Sequence, residues 1–265
     1  MYQIGWFSTG RDKAARDLLT VVHDNIIQGN IPAAISFVFS NQDPDESTEA
    51  GLFANLVKSY NIPLVHLSSQ KHRSNHSSPQ WRDSYDFQVM NSLATFSPNI
   101  CILAGYMLIV GEDMCREYDM INLHPAAPGG PFGTWQEVSR KLIECNASQS
   151  GVMMHLVTPQ LDEGPPVTYC TYLIKGELFD RYWKELELHP HSQIKKEQGK
   201  NNPLFKLIRQ HGLVREFPLI TTTIKAFAEG KVSIRKKAVF NSDGNPTQGY
   251  DLTEEIDKAI SSIFP

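Results

Sequence analysis

Asn122 and His124 stand two residues apart in Ile121-Asn122-Leu123-His124-Pro125. On a strand, that spacing points both side chains to one face. An amide N–H can stabilise a developing oxyanion, and an imidazole can give or take a proton near neutral pH. A carboxylate is offered by Asp162, in Leu161-Asp162-Glu163-Gly164-Pro165-Pro166. The glycine and prolines make that segment a loop able to approach a strand tip, where a carboxylate would raise a histidine pKa. With no Ser or Cys nucleophile beside it, such a trio suits direct acyl transfer to an external amine. A structural reading stays open as well, with Asn122 and His124 as strand-end caps and Asp162 making turn bonds.

These residues need a strand that ends at Pro125, which cannot donate to a ladder, because ligands of open α/β sheets gather at the carboxyl ends of strands. Pro128, Gly129, Gly130, Pro131 and Gly133 then form a tight loop before a helix over Trp135 to Ile143. Upstream, apolar runs predict strands at Ile4 to Ser8, Ala33 to Ser40, Ile62 to Leu67 and Asn99 to Ala104. Helical periodicity falls between them at Asp12 to Gln28, Glu46 to Tyr60 and Trp81 to Phe96. The polar stretch Ser68 to Pro79 reads as an exposed loop. This alternation predicts an α/β fold with a Rossmann-like, mostly parallel sheet flanked by helices.

Downstream, Ser150 to Thr158 and Val167 to Ile174 read as further strands, with Met153 and Met154 in the core. The charged segment 176–214, including Lys195 to Asn202, reads as an exposed excursion. Arg215 to Gly230 reads as a helix ended by a glycine cap. Asp243-Gly244 signals a hairpin, and Thr253 is a candidate cap for a last helix through Ile260. The organisation expected is one domain over 1–265. Its parts are an N-terminal βαβ half (1–100), a catalytic half (101–175), the excursion (176–214), and a small C-terminal helix and hairpin extension (215–265).

A chain of 265 residues can bury a full core without disulfides or metals. Cys101, Cys115, Cys145 and Cys170 show no CxxC spacing, which predicts thiols in a reducing compartment and no zinc site. His189-Pro190-His191 lacks a third ligand at suitable spacing, so no metal is expected. The net charge of -4 argues against a nucleic-acid partner. The longest apolar run, Ile100 to Val110, is too short to span a bilayer, and the first residues do not read as a signal peptide. A cytoplasmic protein with a small-molecule substrate is expected.

A second constellation, Ser8-Thr9-Gly10-Arg11-Asp12-Lys13, leads from the first strand into the first helix. A helix N-terminus offers backbone N–H groups to a phosphate, and Arg11 and Lys13 add charge. Asp12 adds the opposite charge at the same place. A phosphate-binding loop over Gly10 to Lys13 and a solvated surface turn both fit.

The pattern Asn122-x-His124-Pro125, a Gly/Pro loop, then Leu161-Asp162-x-Gly164-Pro165 resembles the folate-dependent formyltransferases. Leu103-Ala104-Gly105-Tyr106-Met107, Gly151 with His155-Leu156-Val157, Phe217-Pro218-Leu219, Phe227-Ala228-Glu229-Gly230 and Pro246-x-Gln248-Gly249-Tyr250 extend the likeness over nearly the whole chain. It is nearest to the branch that formylates glycinamide ribonucleotide. The resemblance implies 10-formyltetrahydrofolate as formyl donor, beside Arg82, Met107, Leu108, Ile109, Val110, Asn122 and Asp162. It implies Asn122 on the formyl oxygen, His124 as general acid, and Asp162 raising the His124 pKa and ordering a proton-relaying water. Three positions depart from the family. Leu108 stands where an Arg is usual, Thr9 to Lys13 replaces a Gly-x-Gly-Ser-Asn phosphate cradle, and Leu213 replaces a Glu. The acceptor therefore stays open between glycinamide ribonucleotide in purine biosynthesis, an amino sugar nucleotide or other small amine, and water, as in a formyltetrahydrofolate hydrolase. A folate-binding protein without catalysis is a further reading.

Overall fold

Strand β1 (Tyr2–Ser8) is buried from Ile4 onward without polar alternation, as expected of a parallel strand covered on both faces. The chain continues through α1 (Lys13–Ile27), β2 (Ala33–Ser40), α2 (Thr48–Ser59), β3 (Leu64–His66), α3 (Ser69–Asn75), α4 (Trp81–Leu93), β4 (Ile100–Leu103), α5 (Glu112–Glu117) and β5 (Met120–His124). It then forms α6 (Trp135–Glu144), β6 (Gln149–Leu156), β7 (Pro166–Leu173), α7 (Glu177–Leu188), α8 (Pro203–Ala228), β8 (Val232–Arg235), β9 (Ala238–Asn241), β10 (Tyr250–Asp251) and α9 (Thr253–Ile260). This computed structural model describes residues 1–75, 81–188 and 202–261. His189-Pro190-His191 and most of the Lys195 to Asn202 run lie outside the described residues.

The residues group into two compact units. The first comprises Met1–Leu123, His155–Pro165 and Thr221–Thr247. Its strands run in the order β3-β2-β1-β4-β5, all paired in parallel. Phe7, Phe37, Phe39, Tyr85, Leu103, Tyr106 and Met114 centre its core, where Phe7 meets Phe37 and Tyr106 edge-on. Each fully buried large apolar side chain contributes about 1.5–3 kcal/mol. Helix starts are satisfied locally, since the side chain of Asp12 accepts from Ala15 N and that of Ser47 from Ala50 N.

The second unit comprises His124–Met154, Pro166–Ile220 and Gln248–Pro265. Its strands run β6-β7-β10, with β10 parallel to β7. Val138, Leu142, Tyr172, Phe179, Trp183, Phe205 and Ile208 form its core.

Several expectations change in detail. Ser68 to Pro79 is not simply a loop. Ser68 Oγ accepts from Lys71 N and starts α3, which His72 anchors by turning edge-on to Tyr85. Helix α5 was not expected. The charged 176–214 segment is largely helical where it is described, because Phe179, Trp183, Leu186, Leu204, Phe205 and Ile208 share buried faces; overall charge hid that periodicity. The helix expected from Arg215 begins at Pro203, and Gly230 (φ 72) closes it as expected. The β8–β9 hairpin turns at Lys236-Lys237, both in the left-handed region (φ 49 and 60), as a two-residue turn requires. Lys237 Nζ then donates to Tyr118 O at 2.8 Å and Asp119 Oδ1 at 2.7 Å. Asp243-Gly244 makes a further reversal, in which Gly244 N donates to Asn241 O. Thr253 does not cap α9; its hydroxyl oxygen accepts from Thr171 N of β7. Cys101, Cys115 and Cys170 are buried thiols and Cys145 is exposed. No described helix is long and apolar enough to cross a membrane.

Candidate active site

Within the first unit, the carboxyl ends of β4 and β5 lie side by side, with Leu103 in register with Asn122. Asn122 Nδ2 is 3.1 Å from His155 Nε2, and His155 Nδ1 is 3.0 Å from Leu156 O. A carbonyl can only accept, so Nδ1 carries the ring hydrogen and Nε2 accepts from the Asn122 amide. Asp162 Oδ1 lies 3.7 Å from the same Nε2, with both side chains buried.

The 156–165 loop that brings Asp162 there is closed on itself, with Leu156 N donating to Pro165 O at 2.9 Å. Val157 N donates to Met120 O, tying the loop to the start of β5. A Cβ on Gly164 would sit 1.7 Å from Leu156 O, so only glycine lets the chain pass. Asp162 itself is left-handed, with φ 58. Strained non-glycine backbone of this kind collects at functional sites.

His124 is the last residue of β5 and belongs to the second unit. It is 2 % exposed, and its Nε2 is 3.0 Å from Pro131 O. By the same argument Nε2 carries the hydrogen in the neutral ring, and Nδ1 is its basic nitrogen. The intervening loop leads into a capping box, in which Thr134 and Glu137 bond reciprocally at the start of α6. Those bonds hold the Glu137 carboxyl below its usual range.

Past β4, Met107 and Ile109 are exposed apolar residues, Leu108 is half-buried and Val110 is buried. The segment is held by Met107 N donating to Thr9 Oγ1 at 2.9 Å and Gly111 N donating to Asp86 Oδ2 at 2.6 Å. Arg82 is exposed on α4, its guanidinium 5.8 Å from the Trp81 ring centroid. In the Gly10 to Lys13 loop, Asp12 caps α1, Arg11 faces Asp12 at 3.8 Å, and Lys13 pairs with Asp17. The cations expected for a phosphate thus have carboxylate partners within the chain.

The structure gathers Asn122 and Asp162 around His155. That histidine carries part of the family resemblance, but sequence reasoning gave it no role; its place on the same unit as Asn122 is a tertiary fact. The bonds of Thr9 and Asp86 to Met107 N and Gly111 N are likewise tertiary facts.

Residues 13–177 match the formyl transferase family model. The chain belongs to the formyl transferase family. Among relatives of this family member is the phosphoribosylglycinamide formyltransferase of Escherichia coli strain K12, 23% identical over 178 residues that span 65% of this chain and 70% of the relative. That of Dictyostelium discoideum is 27% identical over 156 residues, spanning 55% and 73%. In fold, this member is similar to phosphoribosylglycinamide formyltransferase from Coxiella burnetii, with a TM-score of 0.68 at 18% identity, covering 94% of this chain and 98% of that one. It is also similar to formyltetrahydrofolate deformylase from Burkholderia mallei, with a TM-score of 0.64 at 17% identity, covering 91% and 69%. The α/β sheet with its C-terminal helix and strands is therefore the formyl transferase fold.

Proposed function

We propose that this protein transfers the formyl group of 10-formyltetrahydrofolate to a primary amine, with glycinamide ribonucleotide as the leading acceptor. The observation that carries this reading is the oriented Asn122 amide at the tip of β5, backed by His155 and Asp162. The names of the relatives support the acceptor. The exposed apolar surface of Met107 and Ile109 at the end of β4 suits the flat face of a pterin, with Leu108, Val110 and Arg82 beside it.

In this reading the neutral amine attacks the formyl carbon, and Asn122 donates to the oxygen as it becomes negative. His124 lends a proton to the same oxygen and takes it back as the carbonyl re-forms, and Asp162 orders the water that relays the amine proton to N10. Collapse breaks the bond from the formyl carbon to N10 and releases tetrahydrofolate, N10 taking the proton that the amine lost. Buried donors fixed before the reaction need no reorganisation during it, which is the source of their effect.

The test is absorbance of the released folate product from a 10-formyl donor, with and without glycinamide ribonucleotide, in the native protein and in His124→Ala. Release that requires the ribonucleotide and is lost in His124→Ala supports the reading. A fully active His124→Ala overturns it. A second reading, with water as acceptor, draws on Asp12 occupying the N-terminus of α1 and on the deformylase neighbours; formate release without any amine would favour it.

A further inference from the structure

We propose that Thr9 and Asp86 are positioning residues for the formyl donor, pinning the two ends of the 107–111 segment. The inference rests on the reading above, in which that segment faces the donor. Between β4 and α5 the backbone has no regular structure, and Met107 and Ile109 are exposed. Such a segment keeps its shape only through ties to groups outside it, and these two ties are specific.

At one end, Thr9 uses both capacities of its hydroxyl. It donates to Asn41 Oδ1 at 2.7 Å and accepts from Met107 N at 2.9 Å. Asn41 Nδ2 in turn donates to Ser69 Oγ at 3.2 Å, and Thr9 N donates to Gly105 O at 3.0 Å. The tip of β1, the tip of β2 and the start of α3 therefore act together on Met107.

At the other end, Asp86 is buried at 5 % exposure on α4 and accepts from Gly111 N at 2.6 Å. Such a short bond to an ionised acceptor is a strong one. Burial pushes the Asp86 carboxyl up to about 6, and the Gly111 N–H opposes that shift. On its own helix Asp83 raises it further, Arg82 lowers it, and Tyr85 lies close. From the segment Tyr106 faces it, and from α5 Cys115, whose thiol burial pushes up to about 11, with Glu112 acting on Cys115. Tyr106 and Cys115 are uncharged at neutral pH, and Asp83 also faces Gly111, 3.9 Å from where its Cβ would lie, but the acceptor of the Gly111 N–H is Asp86. Its protonation weakens the pin.

The experiment measures binding of a stable 10-formylfolate analogue and donor KM and kcat from pH 5 to 8, in native protein, Asp86→Asn, Asp86→Ala, Thr9→Val, Thr9→Ser and Ile109→Asp. Asparagine keeps an acceptor for Gly111 N but cannot ionise. In native protein the donor KM rises by up to about fivefold from pH 6 to 5, as the ionised fraction of a single group with a pKa of about 6 falls, with a smaller change in kcat. Asp86→Asn gives a flat KM profile, Thr9→Val raises KM, and Thr9→Ser restores it. Hydrogen exchange at Gly111 N in native protein at pH 5 and 7, and in Asp86→Asn, reports the pin without relying on the fold of Asp86→Ala. A native pH profile in Asp86→Asn, or an unchanged KM in Thr9→Val, overturns the inference. If Ile109→Asp alone weakens binding, the donor site stands and the pins fall. If none of the variants changes donor binding, the donor sits elsewhere and both fall.

Discussion

The Asn122 amide donates to His155 Nε2 across 3.1 Å, while His155 Nδ1 donates to Leu156 O. The histidine tautomer is thereby set by the backbone, and it decides which pole of the Asn122 amide turns inward. Asn122→Ala should lower kcat by about 10²–10³, the usual loss for one oxyanion donor. His155→Leu, which leaves the amide unaimed, should lose about tenfold or more. Because the two act as a unit, the double variant should be little worse than Asn122→Ala alone. A fully additive double-mutant cycle would show that His155 acts independently of Asn122.

Gly164→Ala should damage both stability and activity. The added methyl carbon would lie 1.7 Å from Leu156 O, so the 156–165 loop must open. Overpacking of this kind costs about 1–3 kcal/mol. A thermal melt should shift down, and kcat should fall with it as Asp162 moves. An unchanged melting temperature would contradict the loop geometry.

Asp86 makes stability fall as pH rises. Its folded pKa of about 6 lies above the ordinary 3.8, so between those values the native state holds a proton that the unfolded chain has released. Stability is therefore highest below that window, other groups aside, and is lost as pH rises through it. Asp86→Asn should flatten this part of the pH–stability curve. At pH 7 it should be more stable than the native protein by on the order of 2–3 kcal/mol, from about two pKa units at 1.36 kcal/mol each. Denaturant melts at pH 4 and 7 check it.

Asp12→Ser separates the acceptors. Serine also caps helices well, so α1 should survive while a negative charge leaves its N-terminus. Charge at a helix terminus contributes about 0.3–1 kcal/mol, so KM for a phosphorylated acceptor should fall by about 2–5-fold. Formate release to water should not respond.

Much of this arrangement is legible from residue order alone. The parallel strands announce themselves as unbroken apolar runs such as Phe37, Val38 and Phe39, and Asn122 and His124 stand out by their spacing before Pro125. What cannot be read is pairing at a distance. His155 looks like one more strand residue until the fold sets it against Asn122, 33 positions away. Asp86 looks like a solvated helix charge until Gly111 closes over it. Helix α7 was hidden differently, since its charged residues outnumber the buried face of Phe179, Trp183 and Leu186, and the start of α8 follows the charged Lys195 to Asn202 run in sequence.

The Lys236-Lys237 turn bears on how the chain is made. Lys237 reaches the residues just before β5 across 118 positions of sequence, and the loop carrying Asp162 joins β5 through Val157. Strands β1 to β4, by contrast, pair among the first 103 residues. During vectorial synthesis the early strands can assemble while the strand carrying Asn122 still waits for its brace. The brace from Lys237 to Tyr118 and Asp119 forms only once residue 237 has left the ribosome, so a chain stalled before that point would hold paired early strands with the approach to β5 unbraced.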